Sequence, residues 1–386
     1  MYPTISDLLQ DLFGINIPLP IQSFGFMMAI SFMLAAYTLQ SELVRKEKQG
    51  ILHSFWVNVV KGAPATRADI LGSLLTGFFV GYKVLYAAMN YSEFVVDTQG
   101  VLLSAKGNLI GGLFVGAIML YMRYREGEKN RLPELVHEDQ ELFPHQLVMN
   151  ITFVAAIAGI IGAKLFHNLE NLDDLKRDPI DALLSFSGLT MYGGLICGAI
   201  AVIYYGKKHK IGALDLSDAT APGLMLAYGT GRLGCQLAGD GDWGIVNMNP
   251  KPSLLNWIPD WAWSYSYPNN VINSGIPIPG CEGRHCMMLT DAVYPTPLYE
   301  AIACILLFFV LWSVRKKFTT SGKLFSLYLL LNGMERMSIE QIRVNNKFEL
   351  FGLLVTQAEV IAAVLMLLGI LGLVVIKKNS VLNKTK

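Results

Sequence analysis

The chain has 386 residues, of which 53% are hydrophobic and only 16% are charged, and its mean hydropathy is +0.41. This composition excludes an ordinary soluble domain of this length and predicts a membrane protein with several spans. The formal net charge of +1 provides no global field that would attract nucleic acid, so we expect no nucleic-acid partner.

Nine apolar runs approach the length of about 20 residues that a helix needs to cross a bilayer. They cover residues 22–41, 68–89, 107–123, 146–167, 190–206, 217–238, 297–314, 357–376 and, more weakly, 324–345. Basic clusters follow alternate runs, and the positive-inside rule places these ends on the cytoplasmic face. The clusters lie at residues 45–48, 123–129, 207–210, 315–317 and 377–378.

The weak run 324–345 decides the predicted topology. If it did not cross the membrane, the last span would end outside and leave Lys377, Lys378, Lys384 and Lys386 on the wrong face. We therefore predict an all-α integral membrane protein with about nine transmembrane helices, N-out and C-in.

The predicted topology also assigns the segments between the spans. The N-terminus carries Asp7 and Asp11 and no basic n-region, so the first run is not expected to be a cleavable signal. The basic linker 46–67 and the charged loop 123–141 are predicted to be cytoplasmic. Residues 238–297, rich in Trp, Tyr, Pro and Gly, are predicted to form a small cap on the outer face.

The five cysteines favour packing and a disulfide over metal binding. Cys281 and Cys286 lie in the outer segment, where an oxidising compartment would allow a disulfide, and two free thiols are the equal alternative. Cys197, Cys235 and Cys304 lie in apolar runs and are interpreted as small packing residues. Because the sequence lacks zinc-ligand spacing, we expect no metal and no cofactor.

An internal repeat lies 82 residues apart in the sequence. The segments that begin at Gly111 and Gly193 share GGLxxGAI, and about thirty residues before each lies a Gly-x-Lys element, with Lys83 and Lys164. This spacing predicts a duplicated helical hairpin. The alternative is chance similarity among glycine-rich membrane helices, and parallel repeats also occur in transporters.

Charged residues in the run 324–345 point to an intramembrane polar face. A charge at the bilayer centre costs about 2.5–3.5 kcal/mol, so such residues usually face a cavity. At the helical period Asn332, Arg336, Glu340 and Arg343 fall on one face, and Arg336–Glu340 and Glu340–Arg343 are spaced to pair. A surface amphipathic helix is the alternative. Glu335 points elsewhere and is interpreted as a packing residue.

The stretch GTGRLGCQLAGDGDWG, residues 229–244, adds Arg232 as a second intramembrane cation. Its glycines leave room for close helix packing or for a ligand. Guanidinium groups bind phosphate through several donors, and lysine acts as a point charge. A cavity holding Arg232, Arg336, Arg343 and Lys164 would therefore bind an anionic headgroup, most plausibly a phosphate.

These motifs together resemble the prolipoprotein diacylglyceryl transferases in order and in approximate spacing. They are MYGGLICG (191–198), GRLGCQLAGDGDWG (231–244), YPTPLYE (294–300), NGMERMSIEQIR (332–343) and Gln357. The resemblance implies a transferase-like membrane core over residues 146–376, which includes the outer segment 238–297. Residues 1–145 then hold the first span, an inserted hairpin (68–123) and a cytoplasmic loop, and residues 377–386 form a cytoplasmic tail.

The resemblance implies an enzyme of the bacterial cytoplasmic (inner) membrane. It would transfer the diacylglyceryl group of phosphatidylglycerol to the lipobox cysteine of a prolipoprotein signal peptide and release glycerol phosphate, so its partners are these substrates and membrane lipids. Arg232 matches the family's essential arginine, and Arg336, Glu340 and Arg343 match its C-terminal polar helix. Lys164 stands where the family has arginine.

Three positions depart from the family pattern, and they affect the expected chemistry. Tyr192 replaces a histidine before the double glycine Gly193 and Gly194, Cys235 replaces an asparagine, and Phe24 replaces a tyrosine. The double glycine is expected to line the phospholipid site. The alternative function is a non-catalytic or transporting relative that binds an anionic phospholipid.

The expected catalytic roles follow from the same match. Arg232 and Arg336 are expected to hold the phosphate, and Tyr192 is expected to be a positioning group or proton relay. The motif GDGDWG is one residue longer than usual, so either Asp240 or Asp242 is expected to accept the proton. His167 is a lower-ranked substitute base.

Overall fold

The computed structural model describes residues 1–15, 21–96, 98–177, 190–350 and 352–376, and most of them are helical. The long helices are α2 (Ser23–Lys48), α3 (Arg67–Met89), α6 (Leu109–Lys129), α7 (Val148–Glu170), α9 (Met191–Lys208), α10 (Ala213–Ala238), α11 (Thr296–Val314), α12 (Lys323–Glu340) and α13 (Gln357–Val375). The short helices are α1 (Ile5–Phe13), α4 (Tyr91–Val96), α5 (Thr98–Leu103) and α8 (Leu172–Arg177). The predicted tail 377–386 lies outside the described residues.

Each predicted apolar run coincides with a long helix, and several of these helices have the character of membrane spans. Among the described residues, five helical segments are long and apolar enough to cross a membrane. They are Ser23–Lys48, Arg67–Met89, Pro144–Glu170, Thr296–Val314 and Gln357–Val375. The prediction of a mainly helical membrane protein is therefore confirmed, and the count of nine spans and their orientation stay predictions.

The described chain is not purely helical, because it also contains three two-stranded antiparallel sheets. They pair β1 (Phe55–Lys61) with β2 (Val136–Leu142), β3 (Ile276–Pro277) with β4 (Met287–Met288), and β5 (Lys347–Leu350) with β6 (Leu353–Thr356). The sheet β1–β2 joins the segments predicted as a linker and a loop. Strand β2 is mostly exposed and charged, so it lacks the alternation of apolar residues that signals a half-buried strand.

Helix α10 lies at the centre of the main bundle and packs against α2, α11 and α12. Small residues allow the close approach: a Cβ added at Gly229 would lie 3.1 Å from the carbonyl oxygen of Ala301 on α11. The hydroxyl groups of Ser31 and Thr230 form a buried hydrogen bond of 2.7 Å between α2 and α10. These contacts fix α10, and with it Arg232, relative to its neighbours.

Buried ion pairs hold the end of the bundle at which α10 begins. Glu42 on α2 pairs with Arg315 after α11 at 2.8 Å, and Lys46 pairs with Asp215 on α10 at 3.2 Å. The sheet β1–β2 lies at this end, since Phe55 packs in the same apolar cluster as residues of α2 and α10. Because these charges are paired, α2 stays helical to Lys48, beyond the apolar run that predicted it.

The hairpins α3–α6 and α7–α9 make equivalent internal contacts. A Cβ added at Gly111 would lie 2.6 Å from the carbonyl oxygen of Gly81, and one added at Gly193 would lie 2.5 Å from that of Gly162. Both pairs place a helix backbone directly against its partner. The shared GGLxxGAI sequence therefore corresponds to a shared way of packing two helices.

The lysine of the first hairpin contacts the segment that connects its two helices. The Lys83 ammonium group is buried and donates to the carbonyl oxygens of Val101 at 2.9 Å, Lys106 at 2.8 Å and Ser104. Lys164 occupies the equivalent position on α7. In the hairpin α3–α6, Lys83 thus stabilises the segment that connects the two helices.

The segment between α10 and α11 forms a cap at the end of the bundle where α10 ends. Strands β3 and β4 lie within it, and Cys281 and Cys286 form a disulfide, which decides between the two predicted alternatives. The N-terminal ammonium group of Met1 donates to the carbonyl oxygen of Pro268 at 2.7 Å. The chain terminus and the cap therefore lie on the same side, opposite the sheet β1–β2.

Candidate active site

A glycine-rich turn places Asp242 directly after the end of α10. Gly239 and Gly241 have φ values of 66° and 98°, which favour glycine because other residues have a Cβ that clashes there. The Thr296 hydroxyl donates to the Asp242 carbonyl oxygen at 2.8 Å. Aspartates alternate with glycines in GDGDWG because the glycines form the turn and the aspartates project from it.

The same turn pairs with the chain that follows α12. Gly244 forms an antiparallel bridge with Arg343, and the Ile245 amide donates to the Ile342 carbonyl oxygen at 2.9 Å. A Cβ at Gly244 would lie 2.5 Å from that oxygen. The close backbone approach brings Arg343 to the end of α10.

Three arginines converge at this point, as the sequence predicted. Arg232 comes from α10, Arg336 from α12, and Arg343 from the bridged segment after α12. Their side chains are only 9%, 18% and 9% exposed. The two charged stretches identified in the sequence therefore form one cluster, which we call the arginine cluster.

Glu300 is the shared partner of the arginine cluster, and sequence reasoning gave it no role. Its side chain is fully buried and pairs with Arg232, with Arg343 at 2.8 Å and with Arg336 at 3.5 Å. The Tyr228 hydroxyl also donates to it at 3.3 Å. The available signal was a glutamate within the otherwise apolar helix α11, since intramembrane carboxylates mark functional or paired positions.

Asp242 is the second carboxylate that bridges two arginines. One of its oxygens pairs with Arg232 and the other with Arg343. Its side chain is 35% exposed, which makes it the most accessible carboxylate that pairs with the cluster.

Glu340 is the third carboxylate, and one of its predicted contacts is wrong. It pairs with Arg336 at 3.3 Å as expected, and its other oxygen accepts from the Thr356 hydroxyl at 2.7 Å. The predicted pair with Arg343 assumed a continuous helix. Helix α12 ends at Glu340, so Arg343 points instead toward Asp242 and Glu300.

Asp240 lies beside the cluster without an ion pair to any described arginine. Its carboxylate accepts the Asp242 amide at 3.3 Å and contacts the Cys235 thiol. Burial raises the pKa of Asp240 above its usual value, and the neighbouring charge of Asp242 acts in the same direction. Of the two predicted proton acceptors, Asp240 is therefore the one without an arginine pair among the described residues, and burial raises its pKa above that of an ordinary aspartate.

The hairpin α7–α9 holds the remaining predicted site residues, and the structure gives them a different setting. Gly193 and Gly194 face α7, where a Cβ at Gly194 would lie 3.0 Å from the Gly159 carbonyl oxygen. They therefore take part in helix packing, and the lipid-lining role predicted for them stays a prediction. Within the described ranges no hydrogen bond or ion pair joins Tyr192 to the arginine cluster. Lys164 lies in the same hairpin, on α7.

The arginine cluster is electrically balanced, since three guanidinium groups face three carboxylates. A phosphate that approaches these guanidiniums therefore meets groups that are already paired with carboxylates. Near the cluster, Glu335 is buried and neither of its oxygens has a hydrogen-bond partner among the described residues. The Glu335 carboxyl group interacts electrostatically with the charges of Glu300, Arg336 and Arg232.

Among the described residues, one group of side chains has the geometry to hold a metal ion. Cys235, Asp240 and Asp242 each offer a ligand atom within 4.8 Å of the others. Both oxygens of Asp242 already pair with guanidinium groups, and a metal ion would lie beside the Arg232 cation. The donor set therefore fits an arginine-paired cluster better than a metal centre.

Comparison with known proteins gives a consistent match to one family. The model of the prolipoprotein diacylglyceryl transferase family matches residues 132–375, a range that begins after the hairpin α3–α6. A phosphatidylglycerol–prolipoprotein diacylglyceryl transferase of Corynebacterium diphtheriae is 30% identical over 250 residues, which are 64% of this chain and 78% of the relative. The enzyme of the same name from Clostridium tetani is 31% identical over 197 residues, 51% of this chain and 68% of the relative. That of Dehalococcoides mccartyi is 29% identical over 228 residues, with coverages of 58% and 75%.

Proposed function

Because the chain belongs to the prolipoprotein diacylglyceryl transferase family, we propose that it transfers the diacylglyceryl group of phosphatidylglycerol to the cysteine thiol of a prolipoprotein signal peptide. The observation that carries this proposal is the meeting of Arg232, Arg336 and Arg343 at one end of the bundle. Guanidinium groups in a water-poor site are the donors best suited to a phosphate.

The cluster supplies the electrostatic part of the reaction. The thiol sulfur attacks the glyceryl carbon that carries the phosphate, a carbon–sulfur bond forms, and the carbon–oxygen bond to the phosphate breaks. Negative charge then builds on the departing phosphate oxygen, and preorganised guanidinium donors stabilise it. Glycerol phosphate leaves with the bonding electrons. Holding both substrates in line adds the benefit of proximity.

The thiol proton needs an acceptor, and we assign this role to Asp240. In the part of the chain that the structure describes, its carboxylate has no arginine pair, and its raised pKa makes proton uptake easier. Asp242 is less suitable, because its two oxygens are already engaged by Arg232 and Arg343. Tyr192, predicted as a relay, is left without a catalytic role in this proposal.

We also propose that all nine long helices cross the bacterial inner membrane, N-out and C-in, with the cap on the outer face. The charges of α10 and α12 support this, since Arg232, Arg336 and Glu340 are paired inside the bundle. An engineered cysteine at Leu254 in the cap should react with a membrane-impermeant maleimide in intact cells, and one at Leu132 should react only after permeabilisation. The reverse pattern would invert the orientation.

The transferase assignment is tested by the mass shift of a lipobox peptide incubated with the purified protein and phosphatidylglycerol. Arg232→Ala should abolish the shift. Arg315→Ala is the matched control, because Arg315 is also a largely buried arginine paired with a buried glutamate, at the opposite end of the bundle. That variant should keep transfer. Full activity of Arg232→Ala, or no shift with the parent protein, would contradict the proposal.

A further inference from the structure

The three carboxylates of the arginine cluster differ in how replaceable they are. Glu300 and Glu340 have fully buried side chains on helices, whereas the side chain of Asp242 is 35% exposed on the turn after α10. The guanidiniums that Asp242 bridges, Arg232 and Arg343, are each 9% exposed. A ligand approaching the cluster from outside therefore meets the Asp242 carboxylate over two guanidinium groups.

The backbone of Asp242 is anchored independently of its side chain. The Thr296 hydroxyl binds its carbonyl oxygen at 2.8 Å, and the Gly244 amide donates to the Tyr294 carbonyl oxygen at 2.9 Å. The side chain can consequently rotate away while the turn keeps its place. The change needs only a new rotamer at one residue.

We infer that the Asp242 carboxylate occupies the place of the substrate phosphate between Arg232 and Arg343 in the substrate-free protein, and that phospholipid binding displaces it. A carboxylate and a phosphodiester each carry one negative charge and present two oxygens, so the exchange keeps the cluster balanced. Arg336 keeps its partners Glu300 and Glu340 throughout, and it acts as a positioning residue through Glu300, which also pairs with Arg232 and Arg343.

This inference rests on the proposed function and adds a consequence for affinity. The phosphodiester competes with an internal anion, so its observed affinity is the difference between two interactions with the same guanidiniums. Removing the charge of residue 242 removes the competitor. The variant should therefore bind the phosphodiester more tightly than the parent, which is the opposite of what loss of a ligand-binding or structural residue produces.

The experiment measures binding of dihexanoyl phosphatidylglycerol to the purified full-length protein in a neutral maltoside detergent by isothermal titration. Asp242→Asn should lower the dissociation constant about tenfold, which corresponds to about 1.4 kcal/mol. Asp242→Glu, which keeps the charge, should bind no more tightly than the parent. Asp240→Asn, on the same turn, is the matched control for loss of a nearby charge and should change the affinity less than Asp242→Asn.

Equal or weaker binding by Asp242→Asn, or an equal gain with Asp240→Asn, would overturn the inference. Thermal unfolding verifies that each variant is folded, and Asp242→Ala serves as a second uncharged variant. If neither uncharged variant folds, the carboxylate is structural and not displaceable, and the inference fails. The peptide mass-shift assay on the parent protein tests the transferase assignment separately, so the two failures can be told apart.

Discussion

Two buried glutamates near the arginine cluster should differ strongly in how much stability the same substitution costs. Glu300 is fully buried and pairs with three guanidinium groups, whereas Glu335 is 7% exposed and neither of its oxygens meets a donor among the described residues. Replacing each by glutamine preserves side-chain size and removes the carboxylate. The comparison therefore isolates the effect of pairing.

The expected magnitudes follow from these contacts. Removing one partner of a buried ion pair costs about 3–5 kcal/mol, because the remaining charges lose their compensation. Glu300→Gln leaves three guanidiniums with two carboxylates, so we expect a loss in this range. An unsatisfied buried polar group already costs about 1–3 kcal/mol, and an amide at residue 335 replaces one such group by another. We expect Glu335→Gln to change stability by less than about 1 kcal/mol.

The assay is equilibrium unfolding of the two variants and the parent in mixed micelles, with the transfer rate as a second measurement. Glu300→Gln should also lower the transfer rate in the folded fraction, since Glu300 orients all three guanidiniums. If Glu335→Gln were as destabilising as Glu300→Gln, pairing would not distinguish these carboxyls and the reasoning would be refuted.

Three further predictions concern the pH profile, helix packing and the disulfide. The pKa of Asp240 is raised above 3.8, and its ionised form accepts the proton. As pH decreases, transfer activity should therefore fall at a higher pH than it would with an exposed aspartate. Asp240→Asn should remove this acidic fall in activity, and an unchanged pH profile would exclude Asp240 as the acceptor. Gly162→Ala should destabilise the protein by about 1–3 kcal/mol, because the added Cβ would lie 2.5 Å from the Gly193 carbonyl oxygen. Gly159→Ala should be tolerated, since the nearest atom to its Cβ would be 3.7 Å away. Equal unfolding midpoints for the two variants would contradict this. Cys281→Ser opens the small disulfide loop and should lower stability by about 2 kcal/mol on the loop-entropy model while transfer persists; loss of transfer in folded protein would give the loop a functional role.

The helices could be predicted from the sequence because long apolar runs are a strong signal. Their ends were less predictable, since α2 continues past residue 41 only because Glu42 and Lys46 find buried partners on other elements. The sheet β1–β2 was missed for a related reason. Strand β2 is held by backbone pairing and by polar contacts between side chains of the two strands, so its side chains show no apolar pattern.

The candidate site was predicted where charge and helical periodicity carried the argument. Arg232 and Arg336 meet as expected, because both lie on polar positions of apolar helices that pack together. The helical wheel misplaced Arg343, because it assumes that the helix continues to residue 343. The helix ends at Glu340. Motif order alone could not place Tyr192 relative to the cluster, because neighbours in a motif list need not be neighbours in space. Glu300 was visible in the sequence as a charge in an apolar helix and was given no role.

The hairpins α3–α6 and α7–α9, which share a sequence pattern and a way of packing, provide an internal comparison for Lys164. Its counterpart Lys83 lies in a copy that the family match does not include, yet it still binds three backbone carbonyl oxygens. A lysine at this position can thus stabilise a connecting segment. Parallel substitutions at Lys83 and Lys164 would therefore separate what hairpin packing requires of this lysine from any further requirement at position 164.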